Sequence, residues 1–141
     1  MVKYQTETIL KGDALDHLGG DYDSYTRAVR KLARSFTYHG TFKVKLFGDK
    51  KTECLHEEFS SVYPYRHKCT GSIPDRVREL HTLYRFHSPV SAMLFLKELE
   101  AKVLGDSFGS LEGIEHIVKR ADGRRLVELT DDDRIEMRRA F

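Results

Sequence analysis

The sharpest chemical pattern in the chain is a mirrored pair, Cys54-x-His56 and His67-x-Cys69, separated by ten residues. Residues two apart on a strand share a face. A hairpin centred near Ser61-Val62 would set Cys54 opposite Cys69 and His56 opposite His67. Two thiolates and two imidazoles form a donor set that zinc accepts. The spacing is unlike a zinc knuckle, however, and a flat sheet patch converges poorly on one ion. The expectation is therefore a pair of unliganded strands, with no metal and no cofactor. A Cys54–Cys69 disulfide is geometrically open, but a reducing cytosol disfavours it.

The remaining chemistry-bearing residues have simpler readings. His39-Gly40-Thr41 has the H-x-T form that some phosphoesterases use in pairs, but there is no second copy. His39 reads instead as a cation at a helix C-terminus, and Asp131-Asp132-Asp133 as the acidic first turn of a helix. Gly19-Gly20 and the stretch from Gly105 to Gly113 lack the spacing and the following Lys of a phosphate loop. A Cys/His nucleophile pair has nothing to position it. No catalytic residue is expected.

Two surfaces stand out as candidate interfaces. Arg27, Arg30, Lys31 and Arg34 fall on one side of a predicted helix, and Lys43 and Lys45 on one side of the next strand. Together they would form a basic face suited to phosphate backbone or an acidic protein. Tyr63, Tyr65 and Tyr84 lie near a second set of strands, while Val90 and Leu94 project away from the core stripe of their helix. These five residues form a candidate apolar surface for a partner. Cover by a C-terminal helix, through Ile135 and Phe141, is the alternative for Val90 and Leu94.

The elements that must hold these residues are well punctuated. Met1 to Leu10 reads as a strand. Asp23 to Tyr38 reads as an amphipathic helix with Tyr25, Ala28, Val29, Leu32 and Phe36 inward. Thr41 to Phe47 alternates as a half-buried strand, and Thr52 to Phe59 follows as another. Glu79 to His87 is a strand running into a helix that Ser88 caps, Pro89 starts and Gly105 ends in a left-handed conformation. Its core stripe is Ala92, Phe95, Leu96, Leu99 and Val103. Asp122-Gly123 marks a tight hairpin between Ile114–Ala121 and Arg124–Leu129, and Thr130 caps a last helix.

Strand, helix, hairpin thus occurs twice, over residues 1–60 and 79–130. The order predicts one α+β domain spanning 1–141, a mostly antiparallel sheet with helices on one side and an extra C-terminal helix.

The 141 residues carry a net charge of +2, too little to imply nucleic acid by itself. No apolar run is long enough for a membrane span, and the N-terminus lacks a signal peptide's apolar core, so a cytoplasmic protein is expected. The chain has no Asn and a single Gln, a depletion associated with proteins from hot environments.

In size, composition and α+β order the chain resembles the small transcription regulators encoded by thermophilic bacteriophages. That resemblance implies a non-enzymatic protein that binds host bacterial RNA polymerase at the β-flap near σ region 4 and alters promoter recognition. It rests on no shared motif and carries over no residue. A nucleic-acid-binding protein using the basic helix, or a small metal-dependent hydrolase at the Cys/His patch, are the alternatives.

Overall fold

The computed structural model describes residues 4–36, 41–49, 53–59, 68–69, 74, 76–105 and 107–139; for 41–42, 53–59 and 68–69 it describes the backbone alone. Strand β1 (Tyr4–Lys11) leads into helices α1 (Gly12–Asp16) and α2 (Tyr22–Ala33). Strands β2 (Thr41–Gly48), β3 (Glu53–Phe59), β4 (Lys68–Cys69) and β5 (Val77–Phe86) follow. Helix α3 (Pro89–Glu98) continues into a π turn (Leu99–Val103), and the chain closes with β6 (Ile114–Arg120), β7 (Arg125–Leu129) and α4 (Asp131–Arg139). No described helix is long and apolar enough to cross a membrane.

The fold is α+β, as the element order predicts. All described strands join one sheet in the order β4-β3-β2-β5-β1-β6-β7, and every described pairing is antiparallel. The two strand-helix-hairpin units are exchanged within it. β1 leaves its own hairpin to lie between β5 and β6, and β5 lies between β1 and β2. The first strand of each unit therefore extends the hairpin of the other, and the two first strands pair at the centre.

Strand alternation separates the two sheet faces. Leu10, Val44, Leu46, Leu80, Tyr84, Phe86, Ile114 and Val118 pack with Tyr25, Val29, Phe95, Leu96 and Leu99 of the helices in one core. The opposite face carries no described helix.

Local signals mostly act as expected. The Asp21 carboxylate accepts from the Ser24 N–H and the Ser88 hydroxyl from the Ser91 N–H, each capping a helix. Gly123 takes φ +90° in the β6–β7 turn. Gly113 is required by close approach: a Cβ there would sit 1.9 Å from the Lys11 carbonyl oxygen, while the Lys11 N–H donates to the Gly113 carbonyl at 2.8 Å.

Several expectations are corrected. Ala28 is exposed, and the inward stripe of α2 runs through Tyr25, Val29 and Ala33. Gly105 is not left-handed; the π turn closes the helix instead, with the Leu104 N–H reaching the Leu99 carbonyl at 2.8 Å. Tyr84 is only 1% exposed, its ring 5.2 Å from Phe95 in a cluster with Phe86 and Phe36. An inward strand position against the Phe95 and Phe86 rings makes it core rather than partner surface. Cys69 pairs with His56 rather than with Cys54, a slip of two residues that preserves which face each strand position occupies. His67, Tyr63, Tyr65 and His39 lie outside the described residues.

Candidate functional site

On the face without a described helix, Ile9, Leu83 and Ile117 form a buried apolar centre ringed by charged and polar side chains. Glu7, between Leu83 and Ile117 on the flanking strands, is the hub. The His81 imidazole Nδ1–H donates to its carboxylate at 2.7 Å, and the Lys119 Nζ stands 3.8 Å away. Burial alone would raise the Glu7 pKa. The hydrogen bond from His81 and the charges of His81, Lys119 and Lys45 outweigh it, so the carboxyl ionises below its ordinary range. Phe47 stacks obliquely on His81 at 4.6 Å between ring centroids.

The next row along this face reads Arg85, Gln5, Lys119 across β5, β1 and β6. Strands lie about 4.8 Å apart, so the two cations flank the amide as near neighbours. With Arg120, Ala121 and Gly123 these residues line a cleft of 440 Å³ at the β6–β7 end of the sheet. Among the described residues no carboxylate lines it. Arg120 is 3.6 Å from Asp122 and Lys119 reaches Glu7, whereas Arg85 has no ion-pair partner among the described residues.

The helical side presents a different surface. Val90 is 66% and Leu94 49% exposed, one turn apart on the outer side of α3. Helix α4, which carries Ile135, packs on β6, β7 and the π turn and leaves them exposed; Phe141 lies outside the described residues. Beyond them, Lys97, Glu100, Ala101, Met137 and Arg138 line a 230 Å³ groove between the π turn and α4. An apolar track therefore runs from Val90 through Leu94 to Ala101 and Met137, edged by Lys97 and Arg138.

The proposed single basic face is divided. Arg27, Lys31 and Arg34 are exposed on α2 and Arg30 is half-buried. Lys43 and Lys45 alternate with the core residues Val44 and Leu46, which points them to the opposite side of the sheet. A six-residue cationic patch does not form.

One polar cluster is structural. The Thr8 hydroxyl meets His116 Nδ1 at 2.8 Å, His116 Nε2–H donates to Glu100 at 2.7 Å, and Arg134 donates to the other Glu100 oxygen at 2.9 Å. All four residues are buried. Arg134 also donates to the Leu111 carbonyl, and the Asp131 carboxylate accepts the N–H groups of Gly113 and Ile114. These bonds fasten α4 to the sheet and the π turn. They explain Asp131 more fully than its helix-terminal position does. Among the described residues no group of three or more His, Cys, Asp or Glu is placed to hold a metal ion.

Val90 and Leu94, singled out in the sequence, are exposed, whereas Glu7, His81, Arg85 and Lys119 do not stand out in it as a group. The available signal was their alternation with apolar residues on each strand. What could not be read was the strand exchange that brings positions from three distant segments together. Comparison with protein-family models, curated proteins and solved structures found no match.

Proposed function

We propose that this chain is a non-enzymatic regulatory binding protein that docks a protein partner on the outer track of α3. The observation that carries the reading is the exposure of Val90 and Leu94, side by side on a helix whose opposite side is fully buried. Large aliphatic side chains left in water favour contact with another apolar surface, at about 25 cal/mol per Å² removed from solvent. The track continues into the groove at Ala101 and Met137, which suits a partner helix presenting apolar residues one turn apart. Arg138 stands at its edge, 3.9 Å from the buried Glu100 that also lines the groove. Bacterial RNA polymerase is the first partner to test, on the strength of the likeness to phage regulators.

The experiment is photo-crosslinking from position 94 in the presence of purified bacterial RNA polymerase, and separately in a bacterial lysate. The expected result is a discrete protein adduct that disappears with Val90→Asp. Adducts no different from those formed at the exposed position Arg124 would contradict the docking surface. An adduct from the lysate without one from polymerase would reassign the partner and keep the surface.

A further inference from the structure

We propose that the cleft on the open sheet face binds a phosphorylated small molecule, with its phosphoryl group held between Arg85 and Lys119. The site is independent of the α3 track, since it lies on the other side of the sheet at the β6–β7 end. Among the described residues, three cationic side chains, Arg85, Lys119 and Arg120, line it with the Gln5 amide and no carboxylate. Arg85 and Lys119 stand opposite Gln5 on its two flanking strands, so all three converge on one row of the pleat. The Arg85 guanidinium offers a planar fork of donors that matches two oxygens of a phosphoryl group. Lys119 supplies a point charge, and the Gln5 amide supplies a neutral donor between them.

The neighbouring acids do not cancel this arrangement. Glu7 is engaged by His81 as well as by Lys119, and Asp122 faces Arg120 from the turn. Arg85 has neither as a partner and is the cation most open to a ligand. The volume of 440 Å³ falls within the roughly 300–1,000 Å³ typical of small-molecule sites. Ala121 and Gly123 form the small-residue end of the cleft, leaving room for the remainder of a nucleotide-sized ligand beside the hairpin.

The test is calorimetric titration of the full chain with pyrophosphate, with ATP, and with a short single-stranded oligonucleotide, at one fixed ionic strength. Pyrophosphate or ATP is expected to bind. Arg85→Ala should weaken that binding by about tenfold or more, the effect of losing one charge-assisted hydrogen bond, and Lys119→Ala should do the same. Arg85→Ala should leave the melting temperature of the unliganded protein unchanged, which separates lost binding from lost folding. Failure of both small ligands to bind would overturn the proposal, as would binding indifferent to both substitutions. Binding of the oligonucleotide alone would overturn it in favour of a nucleic-acid surface.

Discussion

Glu7 and Thr8 are adjacent on β1, and each leads to a His–Glu pair of the same length. Glu7 meets His81 at 2.7 Å on the open face, and Thr8 leads through His116 to Glu100 at 2.7 Å under the helices. The chemistry is alike, but the surroundings are opposed. On the covered side every member of the Thr8–His116–Glu100–Arg134 chain is buried, and its bonds run between secondary-structure elements. On the open side the pair borders the Lys119–Arg85 cleft and half-exposed lysines. Where water is excluded, such a pair serves as a fastener whose loss exposes an uncompensated charge. Where solvent reaches its neighbours, the same pair can orient cations toward a ligand. Strand alternation, one residue apart, separates the two roles.

The largest expected effect comes from breaking the covered chain. Arg134→Ala would strip the buried Glu100 carboxylate of its hydrogen-bonded cation, leaving the half-exposed Arg138 at 3.9 Å from the same oxygen, and removing one partner of a buried pair costs about 3–5 kcal/mol. Chemical denaturation of the variant should show this loss, and α4 should lose hydrogen-exchange protection first. A cost below about 1 kcal/mol, the range of exposed ion pairs, would erase the distinction between the two sides.

Much of the frame is legible in the sequence because it is encoded locally. Ser88-Pro89 starts α3, Asp122-Gly123 turns the hairpin, and Phe95, Leu96 and Leu99 face the core at helical spacing. Each depends only on residues a few positions away. The open-face site is not legible for the converse reason. Arg85, Gln5 and Lys119 become neighbours only because β1 and β5 exchange places between the hairpins, and that pairing is set by the core as a whole. The same cause explains two misassignments. Tyr84 is core because its strand lies under α3, and Lys43 and Lys45 are separated from the α2 cations because the sheet points them to its far side.

An intermediate effect is expected from the open pair, and it depends on pH. Because the folded Glu7 carboxyl ionises below its ordinary range, it stabilises the fold fully above the ordinary Glu value of about 4.3. That contribution is lost as pH falls from there through the lower folded value. His81 from β5, Lys119 from β6 and Lys45 from β2 are the groups that face it. Glu7→Gln should cost about 1 kcal/mol at neutral pH and should flatten the acid limb of the stability curve. Unchanged acid sensitivity in this variant would assign the limb to other carboxylates.

The smallest effect on stability, and the largest on function, is expected at α3. Exposed substitutions away from caps and cores usually shift stability by no more than about 0.5 kcal/mol. Leu94→Glu places a charge where the track should meet an apolar partner, so its stability and its binding should part company. The decisive measurement is therefore the melting temperature of Leu94→Glu alongside its partner capture in the photo-crosslinking assay, with the crosslinker moved to position 101. A wild-type melting temperature with capture abolished is the predicted result. Capture at the wild-type level in a normally folded Leu94→Glu protein would contradict the assignment of α3 as the docking surface.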